Sequence, residues 1–357
     1  MTTRHLLAAA FLAAAPLAPA AAQVAGASRA LPRAVPSDSG ERHFRNIRQL
    51  TDGGENAEAY FSHDGKWLTF QSTREGRSCD QQYVMQLANA RVTRISTGQG
   101  KTTCGWFLPG NKRLFFGSSH GVDTACAPKP DPSKGYVWRL DPFDIYMANR
   151  DGSGLARLTN YGVYTAEGML SPDGKTIVFT SLKDGDLDIY TMNVDGTNVK
   201  RLTFQPGYDG GPWWSPDGKR IVYRAWHYAP EDSAFKTYKE LLGQRLVRPG
   251  KMELWVMDAD GGNQKQVTYL GGANFGPSWA PGGKQVIFSS NHKNPRSRNF
   301  DLFLVNLDGT GLEQLTTNKD FDGFPMFSPD GKTLVWASNR HDTKEGETNL
   351  FIAEWVP

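Results

Sequence analysis

Cysteine is scarce in this 357-residue chain, which holds three. So few cannot staple a small coreless scaffold, and the fold must stand on its own buried surface. An excess of one charge is missing too: 40 Lys and Arg face 37 Asp and Glu, with no block of basic residues. No nucleic-acid partner is expected from that balance. No uninterrupted run of about 20 strongly apolar residues occurs, so no membrane span is expected in the mature chain. Long helical periodicities are rare. GxSxG, HExxH, P-loop and dinucleotide fingerprints are absent, and no Asp-Gly pair has the spacing of an EF-hand calcium loop.

The chain opens with a leader. Arg4 gives a short positive start, an Ala- and Leu-rich run follows from Leu6 to Leu17, and Ala20-Ala21-Ala22 precedes Gln23. That order predicts a secretory signal peptide over residues 1–22, cleaved near Ala22, and a periplasmic or secreted mature protein. No cysteine sits there to carry a lipid. Residues 23–43 read as a low-complexity linker and residues 44–357 as one domain.

Six copies of a turn followed by a strand punctuate that domain: Ser62-His63-Asp64-Gly65-Lys66, Leu108-Pro109-Gly110-Asn111-Lys112, Ser171-Pro172-Asp173-Gly174-Lys175, Ser215-Pro216-Asp217-Gly218-Lys219, Ala280-Pro281-Gly282-Gly283-Lys284 and Ser328-Pro329-Asp330-Gly331-Lys332. Pro presets the second turn position, and the Gly takes the corner where φ turns positive. Runs such as TIVF, RIVY and TLVW then read as buried strands. A third strand ends in an Asp-Gly hairpin (DIYMANRDG, DIYTMNVDG, DLFLVNLDG), and a fourth reads ARLT, KRLT or EQLT. One such sheet cannot bury both its faces alone, so several must pack around an axis. The last copy lacks its fourth strand, while a spare one, Phe44–Thr51, precedes the first. The sequence therefore predicts an all-β, six-bladed β-propeller of four-stranded antiparallel blades, closed by its N-terminal strand and carrying one short helical insertion.

The SPDGK turn, the DIYxMNxDG strand and the RLT ending resemble the propeller repeats of the TolB family, over nearly all of Phe44–Pro357. The α/β domain that precedes the propeller in TolB has no counterpart among these residues. The resemblance implies a periplasmic binding propeller, with the envelope-spanning Tol–Pal system as the candidate context. Related propellers also regulate prolyl-oligopeptidase-like peptidases and form a few metal-dependent polysaccharide lyases.

Departures from the repeat fall on the face opposite the turns. Blade 2 carries a Pro-rich insertion, Gly121–Asp141. Blade 4 carries Tyr228–Lys251, where Phe235, Tyr238, Leu242 and Leu246 share one helical face that Pro249 and Gly250 end. It reads as a helix packed on its propeller or as a lid. Cys79, Cys104 and Cys126 map to this face, and an oxidising compartment predicts one disulfide and one free thiol, the pair undecided. Aligned copies place Arg74, His120, Lys183, His227, His292 and Arg340 at one position, one per blade, and Glu58 and Glu167 at another, with Cys104 between them. Three readings stay open for this constellation. The basic residues pair with the acids that open the next strands, they bind an anionic or peptide ligand, or the three imidazoles hold a divalent metal with Glu58 or Glu167 as base.

The leading expectation is a monomeric, non-enzymatic propeller without cofactor that binds a protein or peptide partner through its insertion-bearing face. The alternative is a metal-dependent hydrolase or lyase acting on an anionic substrate at the mouth.

Overall fold

A computed structural model describes residues 32–229, 231–342 and 344–357; the expected leader and its cleavage point lie outside the described residues. Six antiparallel sheets stand around an axis. From the axis outward, blade 1 is Asn56–Phe61, Trp67–Ser72, Gln81–Gln86 and Arg91–Arg94. Blade 2 is Thr102–Phe107, Arg113–Ser118, Asp144–Asn149 and Ala156–Arg157. Blade 3 is Thr165–Leu170, Thr176–Ser181, Asp188–Asn193 and Lys200–Arg201. Blade 4 is Gly207–Trp214, Arg220–His227, Glu253–Asp258 and Lys265–Gln266. Blade 5 is Asn274–Trp279, Gln285–Ser290, Asp301–Asn306 and Glu313–Gln314.

Blade 6 is built from both ends of the chain. Asp322–Phe327, Thr333–Ser338 and Asn349–Trp355 come from the C-terminal end, and Phe44–Gln49 completes the sheet by pairing Phe44 with Trp355 and Gln49 with Phe351. Arg33–Ala34, within the segment read as linker, adds a short fifth strand against Arg48 and Gln49. The closure removes the open edge a ring of sheets would otherwise leave.

The turn motif builds its own scaffold. Ser171 Oγ donates to Asp173 Oδ1 at 2.6 Å, the same oxygen accepts the Lys175 amide at 3.1 Å, and Gly174 takes φ +73°. Matching Ser–Asp bonds recur at Ser62, Ser215 and Ser328. The strands that follow are buried along almost their whole length because both faces meet a neighbouring blade. Aromatic pairs such as Phe70–Tyr83 and Phe179–Tyr190 stack there, with centroids 5.9 and 5.7 Å apart.

The acids that open the third strands do not pair with the basic residues that follow the second strands. They face the fourth strand. Asp144 accepts Thr159 Oγ1 at 2.8 Å and Arg157 Nη2 at 2.5 Å, and Arg201 lies 2.8 Å from Asp188. Arg and Thr two residues apart share one side of a strand, so an Arg-Leu-Thr segment presents both to one carboxylate.

The insertions of blades 2 and 4 meet. Trp138 pairs with Val247 and Arg139 with Leu246 in a small antiparallel ribbon that spans blade 3. The helix, α1, runs Ser233–Leu242 with Asp232 as its N-cap. It is shorter than expected: Gly243 caps it, Arg245 turns to φ +57°, and Leu246 belongs to the ribbon rather than to the helical face. Tyr238, Leu241 and Leu242 bury against the propeller, and the Tyr238 hydroxyl donates to Asp186 at 2.5 Å.

Candidate binding chamber on the propeller axis

Every axial strand carries a β-bulge, seen as a register shift against the second strand. The bulged residue is left-handed in each blade: Glu58 (φ 52°), Cys104 (47°), Glu167 (59°), Gly211 (57°), Gly276 (58°) and Phe324 (56°). For the four that are not glycine this backbone costs about 1–3 kcal/mol each, and such strain gathers at functional places. All six line a small cavity of ≈ 40 Å³ on the axis.

Two residues further along each strand, the axis is plugged. Tyr60, Trp106 and Trp213 touch one another with centroids 5.6, 5.5 and 5.2 Å apart. Blades 1 and 4 stand opposite each other, so the Tyr60–Trp213 contact crosses the centre. The plug separates a funnel of ≈ 390 Å³ on the turn face from a chamber of ≈ 430 Å³ on the insertion face.

That chamber has two unlike walls. Tyr136, Trp138, Phe275, Phe321 and Phe324 form an aromatic side, Trp138 lying 5.6 Å from Phe275. The other side is polar: Glu58, Glu167, Arg224, Thr103 and Gln71. Glu167 is ion-paired with Arg224 and accepts the Gly211 amide at 2.8 Å. Arg224 also donates to the Tyr208 hydroxyl at 2.5 Å and lies 5.2 Å from the Trp138 ring centre. Glu58 accepts the Cys104 thiol at 2.7 Å.

These settings push the two carboxyls apart. Burial drives Glu58 above its ordinary range, the Cys104 bond opposing only in part. Burial acts the same way on Glu167, but Arg224 and the bonds from Thr180 and Gly211 outweigh it and hold that carboxyl low. Burial and both carboxylates push the Cys104 thiol well up, so it stays protonated and weakly nucleophilic. A protonated acid beside an ionised carboxylate can donate and accept hydrogen bonds in one pocket.

Of the residues singled out in the sequence, Glu58, Glu167 and Cys104 are brought together at the chamber. The six basic residues are not. Each folds back onto aromatic rings of its own blade. Arg74 lies 5.2 Å from both Phe70 and Tyr83, and its Nη2 donates to Asn56 at 3.0 Å. His120 sits 4.2 Å from Tyr146 and is bonded to Ser118. Lys183 lies 4.9 Å from Tyr190 and pairs with Asp184. His227 is 2.9 Å from Asp209, and His292 sits on Phe303 with its Nδ1 3.0 Å from Ser290 Oγ. Arg340 is buried between Glu41 and Asp322. The three imidazoles therefore stay on separate blades, and among the described residues no His, Cys, Asp or Glu cluster could hold a metal ion.

Cys79 and Cys126 form a disulfide, Cα atoms 5.6 Å apart, tying the blade 2 insertion to blade 1; Cys104 is free and buried. Cys104 belongs to the axial strand rather than to a connection.

Arg224 and the aromatic wall escaped the sequence reading. A signal for Arg224 exists: it follows Tyr223 where the other copies have Gln71, Gly117, Thr180, Ser289 and Ala337, so it is the one charged residue in its column. Trp138 and Tyr136 lie in an insertion, where no repeat provides a column.

Two family profiles match the chain: the Tricorn protease N-terminal beta propeller domain over residues 141–241 and the TolB beta propeller domain over residues 247–351. No curated protein matches. Among solved structures, one named as a TolB of Agrobacterium tumefaciens superposes with a TM-score of 0.56 at 20% identity, covering 85% of this chain and 91% of that one. TolB from Acinetobacter baumannii gives 0.54 at 19% identity, covering 81% of this chain, which spans 63% of that protein. An oligogalacturonate lyase in complex with manganese gives 0.52 at 14% identity, covering 91% of this chain and 99% of that one. At these identities the likeness is one of fold.

Proposed function

We propose, from the premise that this chain is a TolB-like β-propeller, that it is an exported, non-enzymatic binding module that takes a segment of a protein or peptide partner into the axial chamber. The observation that carries this reading is the meeting of the blade 2 and blade 4 insertions beside a two-walled chamber of ≈ 430 Å³. A concave site with an aromatic wall facing a set of converging polar groups suits an inserted side chain or chain end. The rigid ring supplies the frame and the insertions supply the selectivity. A leader-like N-terminus and a disulfide both favour an oxidising compartment outside the cytoplasm.

The test is a peptide-display selection against the mature chain. Sequences enriched on the wild type are expected to lose binding to Trp138→Ala and to Phe324→Ala. Enrichment indifferent to both substitutions rejects the chamber as the site.

The divergent carboxyls Glu58 and Glu167 favour a second reading, acid–base chemistry on an anionic substrate, with Glu58 as proton donor and Glu167 as the ionised partner. It needs no imidazole. Turnover of acidic oligosaccharides by the wild type, abolished in Glu58→Gln, would establish it over the binding reading.

A further inference from the structure

Opposite charges around the chamber are matched, with one exception. Glu167 has Arg224. Asp141 has Arg139 at 3.0 Å and Lys101 at 3.8 Å, and Lys101 also reaches Asp80 at 3.6 Å. Glu58 has only the Cys104 thiol at 2.7 Å and the Thr103 hydroxyl at 3.4 Å. No Lys, Arg or His nitrogen of the described residues forms an ion pair with it. A carboxylate withdrawn from water without a counter-ion is costly, and proteins leave one so placed where something else supplies the charge.

The same chamber is lined by the half-buried rings of Tyr136, Trp138 and Phe324, with Phe275 buried behind them. Aromatic faces carry negative electrostatic potential and attract cations, more strongly once water is excluded. Trp138 already holds the Arg224 guanidinium in this way, at 5.2 Å. An anion would meet these rings and Glu58, while Lys101 and Arg139 are already engaged by Asp141, so this wall favours a cation. Arg224, Lys101 and Arg139 are the lining cations that oppose entry of another, and Glu167 and Asp141 match their charges.

We propose that the axial chamber receives a positively charged nitrogen, the ammonium or guanidinium of a Lys or Arg side chain in an extended peptide, with Glu58 as counter-ion and the aromatic wall as its cradle. The inference rests on reading the chamber as the binding site, and it names the chemistry of the inserted group. The backbone shapes the pocket: Gly211 and Gly276 occupy two of the six bulge positions, and a Cβ on Gly211 would strike the Arg224 guanidinium, so that glycine makes the room Arg224 needs to reach Glu167.

A proton should accompany the event. Burial raises Glu58, with Glu167 and Asp80 adding to the rise and Cys104 and Arg224 opposing it. Tyr60, which also lines the axis, is held neutral by its burial and by Glu58. Arrival of a cation favours the ionised carboxylate, so binding expels a proton and strengthens as pH rises through the titration of Glu58.

The experiment is calorimetric titration of the mature chain with acetyl-Ala-Lys-Ala-amide, its Arg, norleucine and Glu counterparts, and n-butylammonium. The Lys and Arg peptides are expected to bind at least about tenfold tighter than the norleucine peptide. That preference should vanish in Glu58→Gln, and affinity should rise with pH through the titration of Glu58 in the wild type alone. Should Glu58→Gln fail to fold, competition on the wild type replaces it: n-butylammonium displaces the Lys peptide and n-butanol does not. Butylammonium binding as tightly as the peptide upholds the charged-nitrogen site and assigns it to free amines. Equal binding of Lys and norleucine peptides, or preference for Glu, overturns the inference while leaving the chamber a binding site. Binding of none of the probes overturns both.

Discussion

Glu41 and Arg340 form a buried ion pair between the two ends of the chain: Arg340 Nη2 lies 2.8 Å from Glu41 Oε1, and Nη1 lies 3.2 Å from Oε2. The guanidinium is shared with Asp322, and it lies 5.4 Å from the Trp336 ring centre. Glu41 precedes the closing strand Phe44–Gln49, while Arg340 follows the second strand of blade 6. The pair therefore locks the ring beside the hydrogen-bonded clasp.

Removing one partner should open that lock. Glu41→Ala leaves the guanidinium short of one carboxylate in a dry setting, and breaking a buried pair costs about 3–5 kcal/mol. Urea denaturation of Glu41→Ala, Arg340→Ala and the double variant checks it. The double variant is expected to lose less than the sum of the singles, since Arg340→Ala strands both Glu41 and Asp322 while the double variant strands Asp322 alone.

The disulfide fixes the far end of the insertion that supplies Trp138. Cys79 and Cys126 are 47 residues apart, and closing a loop of this order stabilises a fold by about 2–4 kcal/mol. Cys126→Ser is expected to lower the melting temperature by that measure. Hydrogen exchange should quicken over residues 121–137 while the sheets of blades 3 and 5 keep their protection. Equal exchange in both proteins would show that the ribbon with Leu246–Val247 alone holds the insertion.

Stability should also respond to pH through the chamber carboxyls. Glu58, raised above its ordinary value near 4.5, contributes stability that is complete below that value and is lost as pH rises through the folded-state titration. Glu167, held low, contributes stability present above about 4.5 and lost as pH falls below it. Glu58→Gln is therefore expected to match the wild type in acid and to be the more stable protein at neutral pH. Asp188 and Asp301, both pushed up to about 7 by burial, act alike in both proteins. Denaturant midpoints measured across the pH range give the comparison, and parallel curves would mean that Glu58 is not buried as described.

Much of this protein was legible as a repeat. The Ser-Pro-Asp-Gly-Lys turns, the Asp-Gly hairpins and the spare strand Phe44–Thr51 gave six blades and their closure, because each is a local device written in contiguous residues. Alignment of the copies also singled out Glu58, Cys104 and Glu167, whose shared bulge turns them to the axis. The same alignment misjudged the basic residues. Equal spacing puts Arg74, His120 and His227 at equivalent places, yet each found an aromatic ring and a polar partner (Ser72, Ser118 and Asp209) within its own blade.

Local periodicities and turns, written in contiguous residues, set the number, order and closure of the blades. Tertiary structure alone decided which insertion met which, which two cysteines joined, and which charges faced one another. Those contacts link residues far apart in the chain, such as Trp138 with Val247 and Glu167 with Arg224. No local preference encodes them: they exist only after closure of the ring has set the distances.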